Sequence, residues 1–151
     1  NVDEEDMEYF KEDLEKVDKG IRHCMEISGF LLQNMGGQIS GVIATTLLPI
    51  YASVLMNFAE REDYELIDSV CFICDCMEHG DEAMFNQVSA QAGQKFVELI
   101  HHSQKKGVQE INFDLVQSCI FGLGMVASKQ PSGQFAQLGD FMTIINQIIT
   151  Y

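Results

Sequence analysis

This sequence predicts an all-helical chain of about three stacked helix pairs, arranged as an α-α superhelix. Three observations carry the expectation. Apolar residues recur at spacings of three and four almost throughout, no segment alternates apolar and polar residues as a strand would, and similar short stretches return 41 to 49 residues apart.

The first helix can be followed through Met7, Phe10, Leu14, Val17, Ile21, Met25, Ser28, Leu32 and Met35, each step keeping one face inward. Gly36-Gly37 ends it, because glycine tolerates the left-handed conformation that closes a helix. At 1.5 Å per residue it would run about 45 Å. A second helix is expected over Ser40 to Phe58, kinked near Pro49, whose ring and missing N–H interrupt the ladder. A third starts near Glu62 and reads Leu66, Val70, Ile73, Met77. Residues Ile67, Cys71 and Cys74 are expected to face one neighbour while Leu66, Val70 and Ile73 face another. His79-Gly80 closes it, and Asp81 can cap the fourth helix, whose stripe is Val88, Ala92, Phe96, Leu99 and Ile100. Ser103 to Glu110 reads as a polar loop. Asn112 or Asp114 can cap the fifth helix, with Val116, Ile120, Leu123 and Ala127 inward, and Pro131-Ser132-Gly133 breaks the chain before a sixth marked by Phe135, Leu138, Met142, Ile145 and Ile149.

These helices repeat. Ser28-Gly29-Phe30-Leu31, Ser69-Val70-Cys71-Phe72 and Ser118-Cys119-Ile120-Phe121 align, as do Ser53-Val54-Leu55, Glu98-Leu99-Ile100 and Gln147-Ile148-Ile149. A helix pair returning every 40 to 50 residues is the pattern of HEAT and armadillo-type solenoids, in which a pair cannot bury its apolar faces alone and stacking makes the core. The whole chain, 1–151, is expected to be one such segment of a larger protein, with repeats over roughly 4–58, 62–102 and 112–151.

Composition narrows the function. A formal charge of -14 argues against phosphate-mediated nucleic-acid binding and favours basic partners. Much of that charge opens the chain, where Asp3, Glu4, Glu5 and Asp6 lead a run that is either a solvated helix face or a docking surface for a cationic partner. The five cysteines lie inside apolar helical stretches, as in a reducing compartment where thiols act as small hydrophobes. The chain opens on charged residues without an initiating Met or a targeting peptide, which is expected of a fragment. Ile27 to Ala59 carries no charge, yet Gln33, Asn34, Gly36, Gly37, Gln38 and Pro49 interrupt it, so a doubly packed solenoid helix is expected rather than a membrane span.

The stretch from Leu115 to Ala127 (Leu-Val-Gln-Ser-Cys-Ile-Phe-Gly-Leu-Gly-Met-Val-Ala) resembles the first helix of a HEAT repeat in karyopherin-β (importin-β) nuclear transport receptors, above all their importin-5-like branch. Ile73-Cys74-Asp75-Cys76-Met77-Glu78-His79-Gly80 looks like the preceding repeat, and Leu47-Leu48-Pro49-Ile50-Tyr51 resembles the opening common in that family's second helices. The resemblance covers nearly the whole chain as three consecutive C-terminal repeats. Val116 departs from it, standing where the family often has Arg, so no ion-pair ladder is carried over. The resemblance implies a binding protein of the cytoplasm and nucleus, active at the nuclear pore. Its partners would be basic-signal cargo, the GTPase Ran in its GTP form and Phe-Gly nucleoporins. The family's concave face is made by second helices and takes cargo or Ran, which singles out Gln87, Gln91, Gln94, Lys95 and Glu98. Its outer face offers sockets between first helices for Phe side chains.

Other constellations point less far. Cys71, Cys74, Cys76 and His79 do not converge as zinc ligands must, since Cys76 points about 180° from Cys74 on a helix. Buried thiols are expected there, and no metal or cofactor. Asp68 and Asp75 share one helix face and could bind a basic segment. No phosphate loop or hydrolase motif is present in the sequence, so catalysis is not expected. The alternatives are a HEAT or armadillo scaffold without a transport role and a helical protein using the Cys71–His79 cluster for metal.

Overall fold

The computed structural model describes residues 4–105 and 111–129, and singly Gly139, Met142, Thr143 and Asn146. The side chains of residues 4–8, 12, 14 and 18 are outside that description. Among the described residues six α-helices follow one another: α1 (Glu4–Met35), α2 (Gly37–Thr46), α3 (Leu48–Met56), α4 (Asp63–His79), α5 (Glu82–Lys105) and α6 (Phe113–Lys129), with a 3-10 turn at Phe58–Glu60. No strand occurs among the described residues, so the chain is all-α as expected.

The connections follow from their residues. Gly36 adopts φ 51°, and its N–H donates to Leu32 O at 2.8 Å, so the chain reverses in one residue. The helix after it therefore starts at Gly37, three residues earlier than expected. The expected kink at Pro49 is a full break: α2 and α3 meet at Leu47, bent by 54°, with Pro49 in the first turn of α3 where its missing N–H costs nothing. Glu62 and Glu65 form a reciprocal capping box that starts α4. Asp81 caps α5, its Oδ1 accepting from Met84 N–H at 2.8 Å, while its own N–H donates to Ser40 Oγ at 3.0 Å and ties the first helix pair to the second. Of the two possible caps for α6, Asn112 is used. Its Oδ1 accepts from the N–H groups of Asp114 and Leu115, and its amide nitrogen donates to Asp63 Oδ2 at 3.3 Å.

Helix α4 is the hub, flanked by α1 on one side and α6 on the other, with α3 and α5 packed behind. Helix α5 also packs on α6, and α2 touches both α1 and α5. Helices α1, α4 and α6 thus pack side by side, each against the next. Being surrounded explains why Leu66, Val70, Phe72, Ile73, Cys74, Cys76 and Met77 of α4 are all buried, more than one stripe's worth. Phe72 packs on Tyr51 with ring centroids 4.3 Å apart. Of the second expected face of α4, Cys74 is buried, Ile67 half-buried and Cys71 exposed.

Three expectations need correction. Of the described side chains of the α1 stripe, Met25, Ser28 and Leu32 are buried. Phe10, Val17 and Ile21 are 70%, 57% and 45% exposed. A helix of 32 residues is about 48 Å long and α4, with 17, about 26 Å, so α4 cannot cover it. Helix α5 continues past the expected loop start at Ser103 to Lys105, because Ser103 extends the buried row of Phe96, Leu99 and Ile100. In α6 the deepest row is Leu115, Cys119, Gly122 and Val126 beside Val116 and Leu123, whereas Ile120 and Ala127 are only half-buried. Residues 106–110, the break at Pro131-Ser132-Gly133, and nearly all of the expected sixth helix lie outside the described residues.

Candidate partner-binding groove

A groove of about 210 Å3 lies between α3 and α5. Leu48, Pro49, Ala52, Leu55 and Met56 of α3 form one wall, Val88 and Ala92 of α5 the other, and Ile73 of α4 the floor. Gln87, Gln91 and Lys95, one helical turn apart in succession, stand along the α5 rim. The break at Leu47 makes this groove. It turns α3 away from the line of α2, so that its Leu-Pro-x-x-Ala face lies opposite α5.

Of the five α5 residues singled out from the sequence, three line this groove and two stand beside it. Lys95 Nζ donates to Glu98 Oε2 at 2.6 Å, and Gln94 Nε2 donates to Glu98 Oε1 at 2.9 Å. The hydrogen bond from Lys95 holds the Glu98 carboxyl below its ordinary range, against a smaller opposing effect of burial. Lys95 and Glu98 therefore present a neutral pair, and Gln87 and Gln91 are the exposed hydrogen-bonding groups of the rim. Successive i, i+4 residues rise about 6 Å, close to the roughly 6.8 Å dipeptide repeat of an extended chain. Two glutamine amides at that spacing can each meet a peptide unit while an apolar side chain enters the groove.

The carboxylates singled out from the sequence are distributed differently. Asp68 faces α1, where Arg22 Nε lies 3.2 Å from its Oδ2 and the Arg22 guanidinium stacks 4.1 Å above the Tyr64 ring. Burial pushes the Asp68 carboxyl up, Arg22 pulls it down and Glu26 raises it. Asp75 packs against Gly29 of α1, so closely that a Cβ there would collide with its Oδ2. Burial raises the Asp75 carboxyl, opposed by His79 and by a hydrogen bond from Gln33. On its other side Asp75 borders a second groove, about 370 Å3, between α4 and α6, lined also by Cys71, Cys74, Asp114, Gln117, Ser118 and Phe121. The two acids thus share a helix face without forming a common site. Asp3 and the side chains of Glu4, Glu5 and Asp6 lie outside the described residues.

Three of the five cysteines are packing groups, whereas Cys24 and, against the expectation of a buried thiol, Cys71 are exposed, Cys71 bordering the groove between α4 and α6. Cys74, Cys76 and Cys119 are buried, and burial raises all three thiols, Cys76 to about 12. Among the described residues no group of three or more His, Cys, Asp and Glu side chains is placed to hold a metal ion. No single described helix is long and apolar enough to cross a membrane, and only the bent pair α2–α3 passes that test of length and composition.

Sequence reasoning missed the α3 wall of the first groove and the α6 wall of the second. The Leu-Leu-Pro opening was the available signal for the former. Asp114, Gln117 and Phe121, spaced by three and four off the inward stripe of α6, were the signal for the latter. No protein-family model, curated protein or solved structure matches this chain.

Proposed function

We propose that this chain is a HEAT-type superhelical segment of a nuclear transport receptor of karyopherin-β type, and that its work is binding rather than catalysis. The observation that carries the reading is the apolar groove between α3 and α5, rimmed by Gln87, Gln91 and Lys95. The packing of α1 on α4 and of α4 on α6 supports this reading, since a stacked receptor would pack first helix on first helix. The acidic balance of the chain favours lysine- and arginine-rich cargo signals. Ran-GTP and Phe-Gly nucleoporins would be the other partners, and the site of action the cytoplasm, the nucleus and the pore between them. Cargo and Ran would favour different curvatures of the stack, so that one partner displaces the other by population shift.

The test is binding of the full-length protein to Ran loaded with GTP and, separately, with GDP. Tight binding to the GTP form alone is the expected result. Equal or absent binding would overturn the transport reading and leave a helical-repeat scaffold.

A further inference from the structure

We infer that the groove between α4 and α6 is a docking site for an arginine side chain carried by a basic segment of a partner protein. This goes beyond the transport reading and does not depend on it, since the groove lies between first helices rather than second ones.

Charge is the first argument. Two carboxylates, Asp75 and Asp114, line the groove, and no Lys, Arg or His does. The nearby cations are engaged elsewhere: Arg22 with Asp68, Arg61 with Glu65, Lys95 with Glu98, and Lys129 with Met77 O at 2.6 Å. Asp75 is half-buried beside His79, Glu78 and the Gln33 amide, and among the described residues no Lys or Arg is paired with it. A half-buried carboxylate with no Lys or Arg partner carries a desolvation cost that an entering guanidinium relieves.

Shape and donor geometry select the guanidinium. Phe121 lies off the inward stripe of α6 and is 55% exposed, its ring forming a wall of the groove. A planar guanidinium stacks on such a ring and still directs its five N–H donors edgewise, toward the two carboxylates and the oxygens of Gln117 and Ser118. An ammonium offers a point charge and no flat face. The floor suits the apolar stem, because Cys74 is buried and its thiol stays protonated at neutral pH. The groove, about 370 Å3 in volume, is an open cleft, so a side chain lies along it between the two helices.

The experiment is a titration of the 15N-labelled 151-residue chain with an acetylated and amidated Gly-Gly-Arg-Gly-Gly peptide at physiological salt, followed by amide chemical shifts. The expected result is saturable shifts centred on Cys71, Asp75, Asp114, Ser118 and Phe121. Replacing both acids (Asp75→Asn with Asp114→Asn) weakens binding by about tenfold, and Phe121→Leu, which keeps an apolar side chain, by about threefold. Asp13→Asn, which removes an exposed acid from α1, leaves it unchanged, and peptides with lysine or citrulline in place of arginine bind more weakly. Absent shifts, shifts scattered over the acidic surface, an equal loss with Asp13→Asn, or lysine binding as tightly as arginine would each overturn the proposal.

Discussion

Two glycines separated by one residue in α6 should respond to alanine in opposite directions. Gly122 is buried where α6 crosses α4 and α5. A Cβ there would run into the Phe96 ring, which is fully buried, and would lie 3.0 Å from Cys74 Sγ. Gly124, one residue beyond Leu123, has nothing within 4 Å of its would-be Cβ. Alanine gains roughly 1 kcal/mol over glycine in a helix interior through backbone entropy. At Gly124 that gain stands unopposed, so Gly124→Ala is expected to stabilise the chain by about 0.5–1 kcal/mol. At Gly122 it is set against overpacking, which costs about 1–3 kcal/mol when neighbours must leave their rotamers. Phe96 has no exposed surface into which its ring could shift, so the upper part of that range applies. Gly122→Ala should therefore destabilise by about 1–2 kcal/mol net. Urea unfolding followed by far-ultraviolet circular dichroism measures both. The difference between the variants, about 2–3 kcal/mol, is the informative number because propensity cancels from it. Equal effects would refute the close approach of α6 to α5.

Lys129→Met should cost about 1–2 kcal/mol in the same assay, because Lys129 donates to Met77 O at the C-terminal end of α4 and lies 5.0 Å above the Phe85 ring. Asp81→Ala should cost about 1 kcal/mol through the lost cap of α5, and Asp81→Asn much less, as thermal melts of the pair would show. Burial raises the Asp75 carboxyl, so the folded chain binds that proton more tightly than the unfolded one. The resulting stability is present at acid pH and is lost as pH rises from the ordinary value of 3.8 through the folded value. Asp75→Asn should therefore stabilise the chain at neutral pH, by less than about 1 kcal/mol after solvent screening, and the gain should vanish near pH 3. Glu98 has the opposite sign. Its contribution is present above the ordinary value of 4.5 and is lost as pH falls through the folded value, so Glu98→Gln removes stability at neutral pH only. A pH series of unfolding curves for both variants checks the two signs.

Periodicity and caps were legible in the sequence because both are local. The stripe of α5, the Asp81 and Asn112 caps and the stop at Gly36 need only a few neighbouring residues to be decided, and all appear in the structure. What failed depended on residues far away in the chain. The stripe of α1 has the right spacing from Phe10 to Ile21, yet spacing says only which face would be buried, never whether a partner of sufficient length is present. Asp68 and Asp75 shared a face by arithmetic, but Arg22 claims the first, while Gly29 and Asp114 set the surroundings of the second. The α5 rim could be named from its polar residues. Its apolar wall could not, because that wall depends on the 54° break at Leu47.

The polar ties between helix pairs explain why such a chain can be read one repeat at a time. Asp81 N–H bonds Ser40 Oγ, Asn112 bonds Asp63, and Lys129 bonds Met77 O, bridging 41, 49 and 52 positions. The first two separations fall within the interval at which the sequence repeats and the third just beyond it, so each tie joins residues about one repeat apart. Each tie is also set at a helix end, where orphan donors and acceptors need partners. The same residues that cap a helix therefore fix its angle to the neighbouring pair. Between these ends the helices meet through Gly29 on α1 and Gly122 on α6, which allow close approach, and through two further polar contacts of α1 with α4, Arg22 with Asp68 and Gln33 with Asp75. A change of angle between α1 and α4 would therefore break or rearrange the Arg22–Asp68 pair and the Gln33–Asp75 hydrogen bond, so this interface is fixed along its length and not at the helix ends alone.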